Sequence, residues 1–177
     1  MKLPQRKIPE SFLHALPQGI ALVQRHGQDF LAVESVRCPQ GHELIAEDVC
    51  IHGQPSIRFA IDTGASRGHI HVDPFWGGHD KLYDFIPVAT RSQPVLRASC
   101  PECGTSLIAR RPCNVAGCTC DEAILLTLPD GRNRIWVCAR LGCAGHHFEV
   151  ADLPSVVSAV LDDINYYTQD DDIFHGI

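Results

Sequence analysis

No apolar run in the chain approaches the roughly 18–20 residues that a bilayer-spanning helix needs, so a transmembrane segment is not expected. Basic charge is also in short supply. The sequence has 15 Lys and Arg against 21 Asp and Glu, a formal net charge of −6. No Lys or Arg follows Val150, whereas Asp152, Asp162, Asp163, Asp170, Asp171 and Asp172 do, and these aspartates carry the whole imbalance. An acidic tail repels phosphate backbones, and nothing upstream offers a basic excess to offset it, so nucleic acid is a disfavoured partner. The first residues carry Lys2, Arg6 and Lys7, but Pro4, Pro9, Glu10, His14 and Pro17 break up any apolar stretch of the kind a signal peptide requires. A cytoplasmic location is expected.

A hydrophobic content of 45% with 20% charged residues is ordinary for a folded soluble chain and rules out wholesale disorder. At 177 residues there is room for one medium domain, or for a domain with a small metal-stapled appendage. Nine cysteines stand out. In a reducing compartment such a number points to metal ligation rather than disulfides, and an odd count leaves one thiol over in any fully paired scheme.

Periodicity predicts a short helix at Pro9 to Leu16, then strands at Ile20 to Gln24 and Phe30 to Arg37 around a turn at His26-Gly27-Gln28-Asp29. Further strands are expected at Ser56 to Ile61 and Gly68 to Val72, with weaker ones at Tyr83 to Ala89 and Val95 to Ala98. Gly104 to Ala109 also reads as a strand. Ala123 to Leu128 and Arg134 to Val137 flank Pro129-Asp130-Gly131-Arg132, a hairpin signal. A last helix is expected from Pro154 to Tyr167, with Val157, Val160, Leu161 and Ile164 on one stripe and Asp152 in the N-cap position.

Cys100-Pro101-Glu102-Cys103-Gly104 carries the sharpest signal. Two cysteines separated by two residues and followed by glycine form a knuckle that aims both thiolates at one ion. Cys113, Cys118 and Cys120 follow, and then Cys138 and Cys143, with His146 and His147 just beyond. Zinc takes four such ligands in a tetrahedron. The set Cys100, Cys103, Cys113, Cys118, Cys120, Cys138, Cys143 and His146 therefore suits two zinc ions. The segment from about 98 to 150 resembles the zinc-ribbon class, with rubredoxin-like knuckles facing one another across β-hairpins. With all four positions of each ion filled by protein ligands the sites are closed, which is expected of a structural rather than a catalytic metal. Cys38-Pro39-Gln40-Gly41-His42 is a weaker candidate for a further knuckle, with Cys38 and His42 as ligands and Cys50 and His52 available to complete a site.

Two other motifs suggest enzymes. Asp62-Thr63-Gly64-Ala65-Ser66, after the run Ile57 to Ile61, resembles the catalytic loop of aspartic proteases, which would make Asp62 a catalytic residue in a homodimer. Against this, the hydrophobic-hydrophobic-glycine segment of that family has only Val115-Ala116-Gly117 to match it, among the metal-ligand candidates. His69-Ile70-His71 places two imidazoles on one strand face and could chelate a catalytic metal. The bland accounts are a hairpin bend for the first and a His-rich strand face for the second.

The expected fold is α+β and mostly β. It comprises a small antiparallel sheet domain over residues 1–98 with a short N-terminal helix, a zinc-ribbon-like unit over 99–150, and a C-terminal helix with an acidic tail over 151–177. The leading functional expectation is a non-enzymatic, zinc-stabilised interaction module whose partner is protein. A hydrolase using Asp62, or His69 and His71 with a metal, is the alternative.

Overall fold

The computed structural model describes residues 7–86 and 95–164. Its architecture is antiparallel β with two short helices. Helix α1 (Glu10–His14) precedes a hairpin of β1 (Ile20–Arg25) and β2 (Gln28–Val33). A sheet follows, built from β3 (Ile45–Ile51), β4 (Gln54–Asp62), β5 (Arg67–Val72) and β6 (Lys81–Tyr83) in that order. Strand β7 (Arg97–Ser99) pairs with the far end of β4, opposite Ala60 to Asp62. The second sheet runs β11-β10-β9-β8, from β8 (Ile108–Arg110), β9 (Glu122–Thr127), β10 (Arg134–Cys138) and β11 (His146–Glu149). Helix α2 (Ser155–Asp162) packs on β11.

The alternation of apolar and polar residues explains the strands that bury one face. In β4, Ile57, Phe59 and Ile61 are buried while Arg58, Ala60 and Asp62 are less so. The hairpins β1–β2 and β3–β4 close through two-residue loops, His26-Gly27 and His52-Gly53. Both residues of each loop have positive φ (52° and 75°, then 51° and 77°), the mirror-image turn whose twist matches paired strands.

One hydrophobic cluster takes in residues from both ends of the chain, among them Phe12, Leu31, Phe59, Trp76, Leu126, Phe148 and Leu161. Phe12 and Trp76 each meet Phe148 edge-on, at 5.3 and 5.2 Å between ring centres. The Trp76 indole N–H donates to the Leu161 carbonyl at 2.8 Å and so fastens α2 to the loop after β5. Arg37 exchanges backbone hydrogen bonds of 2.7 and 3.1 Å with Thr127, which brings the segment before Cys38 against β9.

The structure departs from the sequence expectations in places. Strand β3 carries a bulge between Ala46 and Cys50 and breaks the period-2 pattern that would have revealed it. Asp152 does not cap α2, whose first turn follows Pro154 with no side-chain cap; its carboxylate pairs with Arg132 at 2.8 Å instead. The strand expected at Tyr83 to Ala89 and the helix expected to reach Tyr167 extend in part beyond the described residues, and β6 ends at Tyr83.

Candidate metal centre

Cys38, His42, Cys100 and Cys103 form one group of potential ligands, and Cys113, Cys118, Cys138 and Cys143 another. Within each group the donor atoms lie within 4.8 Å of one another.

The first group joins two tight turns. Cys38 N–H donates to the His42 carbonyl at 3.0 Å, and Cys100 N–H donates to the Thr105 carbonyl at 2.9 Å, so each knuckle is the closed tip of a small loop. Across the group, Cys38 Sγ stands 3.5 Å from His42 Nδ1 and 3.9 Å from Cys103 Sγ. The second group joins two loops of equal length. Cys113 Sγ is 3.6 Å from Cys143 Sγ, and Cys118 Sγ is 3.9 Å from Cys138 Sγ. A tetrahedral zinc with sulfur at about 2.3 Å and nitrogen at about 2.0 Å sets its ligands about 3.8 Å apart for S···S and about 3.5 Å for S···N. These four separations fit that cage. They also exclude disulfides, which need S–S near 2.05 Å, and all nine cysteines are free.

The electrostatics are those of sites that are divided between thiol and thiolate without a cation. A hydrogen bond with the Thr105 hydroxyl lowers the Cys103 thiol to about 6. The Cys120 backbone lowers Cys118 to about 7. Burial pushes Cys113 up to about 11 and raises Cys138 and Cys100 as well. Burial opposes ionisation of Cys38, but hydrogen bonds from His42 and from the Gln40 backbone outweigh it. A divalent cation bound in either group would stabilise all its thiolates at once, and its binding would release protons.

The other candidates sit elsewhere. Cys120 belongs to neither group; it is buried and its thiol faces the Glu122 carbonyl at 3.4 Å. His146 is 8% exposed, with Nδ1 donating to the Ala144 carbonyl at 3.0 Å and its ring edge-on to Trp76 at 4.6 Å. His147 Nδ1 pairs with Asp162 at 2.5 Å. Cys38 and His42, the weaker candidates, are the residues that stand beside Cys100 and Cys103.

The signal for the second group lay in a repeated spacing. Cys113-Asn114-Val115-Ala116-Gly117-Cys118 and Cys138-Ala139-Arg140-Leu141-Gly142-Cys143 are both Cys-x3-Gly-Cys. In each, the glycine takes a positive φ (82° and 83°), and the following cysteine N–H returns to the carbonyl three residues back. Cys120 falls outside that pattern.

Asp62 ends β4. One carboxylate oxygen accepts the Gly64 N–H at 2.7 Å and the other lies 2.8 Å from Arg67 Nε, and these contacts hold its pKa below the usual carboxylate value. His69 Nδ1 pairs with Asp84 at 2.6 Å, whereas His71 Nδ1 is buried on the Ser56 hydroxyl at 2.9 Å. Among the described residues neither histidine joins a group of potential ligands.

Compared with family models, curated proteins and solved structures, the chain gives no significant match to any of them. No helix among the described residues is long and apolar enough to cross a membrane.

Proposed function

We propose that the protein is a non-enzymatic interaction module held in shape by two structural zinc ions, one bound by Cys38, His42, Cys100 and Cys103 and the other by Cys113, Cys118, Cys138 and Cys143. The observation that carries this reading is the spacing of the sulfur and imidazole donors, which suits tetrahedral zinc in both groups. Each group supplies four protein donors, so a four-coordinate ion keeps no position for substrate or water, and its role is structural.

On this reading the zinc-ribbon resemblance describes the knuckles rather than a separate appendage. The first ion would bridge residues 1–98 to the cysteine-rich unit at 99–150, two halves that draw on one hydrophobic cluster. The partner is protein rather than nucleic acid; the support for this is the acidic balance of −6, which disfavours phosphate backbones.

Elemental analysis of protein purified without added metal tests the reading. About two zinc ions per chain are expected, and their removal by a strong chelator should unfold the molecule. Zinc-free protein with nine freely titrating thiols and an unchanged fold overturns it.

A further inference from the structure

A third group of potential ligands contains no sulfur. His52, Asp73 and Asp80 bring an imidazole nitrogen and two carboxylate oxygens within 4.8 Å of one another. His52 sits at the tip of the β3–β4 hairpin, Asp73 directly follows β5, and Asp80 directly precedes β6. The Asp73 N–H donates to the Asp80 carbonyl at 2.9 Å and closes the connecting loop, so both carboxylates emerge side by side beneath the hairpin tip. His52 Nε2 is 2.5 Å from Asp80 Oδ2 and 3.6 Å from Asp73 Oδ2.

An ordinary histidine–aspartate hydrogen bond accounts for Asp80 alone. It leaves a second carboxylate, Asp73, whose side chain is only 4% exposed: Oδ1 accepts the Phe75 N–H at 2.9 Å, and Oδ2 is turned to the same nitrogen. Burying a carboxylate beside another one is costly unless a cation compensates. The Lys81 charge acts on both carboxylates, although its Nζ donates to the His79 carbonyl at 3.1 Å, and the Arg25 guanidinium lies 5.0 Å over the Phe75 ring. The loop is also built close to Asp73, since a Cβ on Gly78 would fall 2.2 Å from Asp73 Oδ2.

A cavity of about 310 Å³ opens onto His52 and Asp73, walled by Arg25, His26, Phe30 and Phe75. Unlike the four-donor sulfur groups, this group offers three donors and an approach for solvent. Mixed nitrogen and carboxylate donors suit a borderline-hard divalent ion such as Mn²⁺ or Zn²⁺, with its remaining positions taken by water or by an oxygen donor in the cavity. We propose that His52, Asp73 and Asp80 form a third, exchangeable site for such a divalent cation, separate from the two thiolate sites. The cation is held at the mouth of the cavity, where an oxygen-donor ligand can reach it.

The probe is Mn²⁺ alone, titrated into the full chain with its thiolate sites loaded with zinc, and read by electron paramagnetic resonance of the free ion. One bound Mn²⁺ per chain is expected, displaced by added Zn²⁺. Asp80→Asn and His52→Asn should each weaken it by at least about tenfold. Both substitutions are at half-exposed side chains, and asparagine accepts the positive φ of residue 52, so the fold is retained. Elemental analysis of the same samples should show the tightly bound zinc unchanged, which separates this test from that of the thiolate sites. Absence of Mn²⁺ binding, or binding equal in the parent and both variants, overturns the proposal.

Discussion

Cys38 Sγ lies 3.9 Å from Cys103 Sγ, although 65 residues separate them in the chain. With His42 and Cys100 they join two short turns, one following β2 and one following β7, neither long enough to hold its shape alone. A metal at this point would constrain a long loop, where a cross-link restricts the unfolded chain most.

The ligand assignment predicts a pattern of zinc loss. Cys38→Ser and Cys138→Ser should each reduce the content from about two zinc ions per chain to about one. Cys120→Ser should keep both ions, because that thiol faces the Glu122 carbonyl and belongs to neither group. Its cost should appear as a lower melting temperature from disturbing a buried position. Elemental analysis with thermal melting separates the cases, and loss of zinc in Cys120→Ser would reassign the ligands.

Asp62→Asn should leave the zinc content unchanged and shift the melting temperature little. Asparagine can still accept the Gly64 N–H, and the lost Arg67 pair is on the surface, where such pairs contribute weakly. The contacts that lower its pKa suit a fixed carboxylate closing a hairpin, not a partner sharing a proton in an aspartic dyad. Neither parent nor variant is expected to cleave peptide at acid or neutral pH. Cleavage by the parent that disappears in Asp62→Asn would establish the protease reading.

The difference between what was legible and what was not follows from the range of the signals. The hairpin at Pro129 to Arg132 and the Cys100–Cys103 knuckle are local: turn residues and ligand spacing are contiguous, and β9 and β10 flank the turn as periodicity predicts. The mostly β character was legible for the same reason. Pairing of Cys38 and His42 with Cys100 and Cys103 is a tertiary event, set by the backbone contact of Arg37 with Thr127 and by the shared core. No spacing rule reaches that far. The His52, Asp73 and Asp80 group was hidden likewise, since His52 lies in the β3–β4 turn and the two aspartates at opposite ends of the loop between β5 and β6. Strand β11 was obscured because its His146-His147 pair reads as metal-ligand chemistry, whereas His146 packs on Trp76 and His147 holds Asp162 of α2.

A pH dependence follows from His71. Burial, with a smaller contribution from the Arg58 charge, depresses its pKa below the ordinary 6.5, so the folded state keeps a neutral imidazole on Ser56. The unfolded chain takes up a proton near that ordinary value while the folded chain refuses it. This contribution to stability is therefore complete above the unfolded pKa and falls with pH through the window down to the folded pKa. The urea midpoint should fall on acidification below about pH 6.5 more steeply in the parent than in His71→Gln, which removes the titration and can keep a partner for Ser56. Parallel curves would mean that His71 does not titrate differently on folding.

Gly145 supplies the most selective test of the four-cysteine group. It lies between Cys143 and β11, and its carbonyl accepts the Cys138 N–H at 2.8 Å, so its backbone is fixed against the ligands. A Cβ added there would stand 2.5 Å from Cys113 Sγ and 3.2 Å from the Cys138 Cβ. The first distance is well inside contact range and the second falls on a ligand's own stem, so a methyl group must displace Cys113 or push the 138–145 loop outward. Gly145→Ala should therefore weaken zinc at Cys113, Cys118, Cys138 and Cys143 while leaving the Cys38, His42, Cys100 and Cys103 site loaded. Competition with a chromogenic chelator should resolve two classes of ion in the variant, with the weaker shifted by about tenfold or more, as for other changes around a metal ligand. Equal release from both sites, at the parent's rate, would mean that the four cysteines do not close around an ion in this geometry.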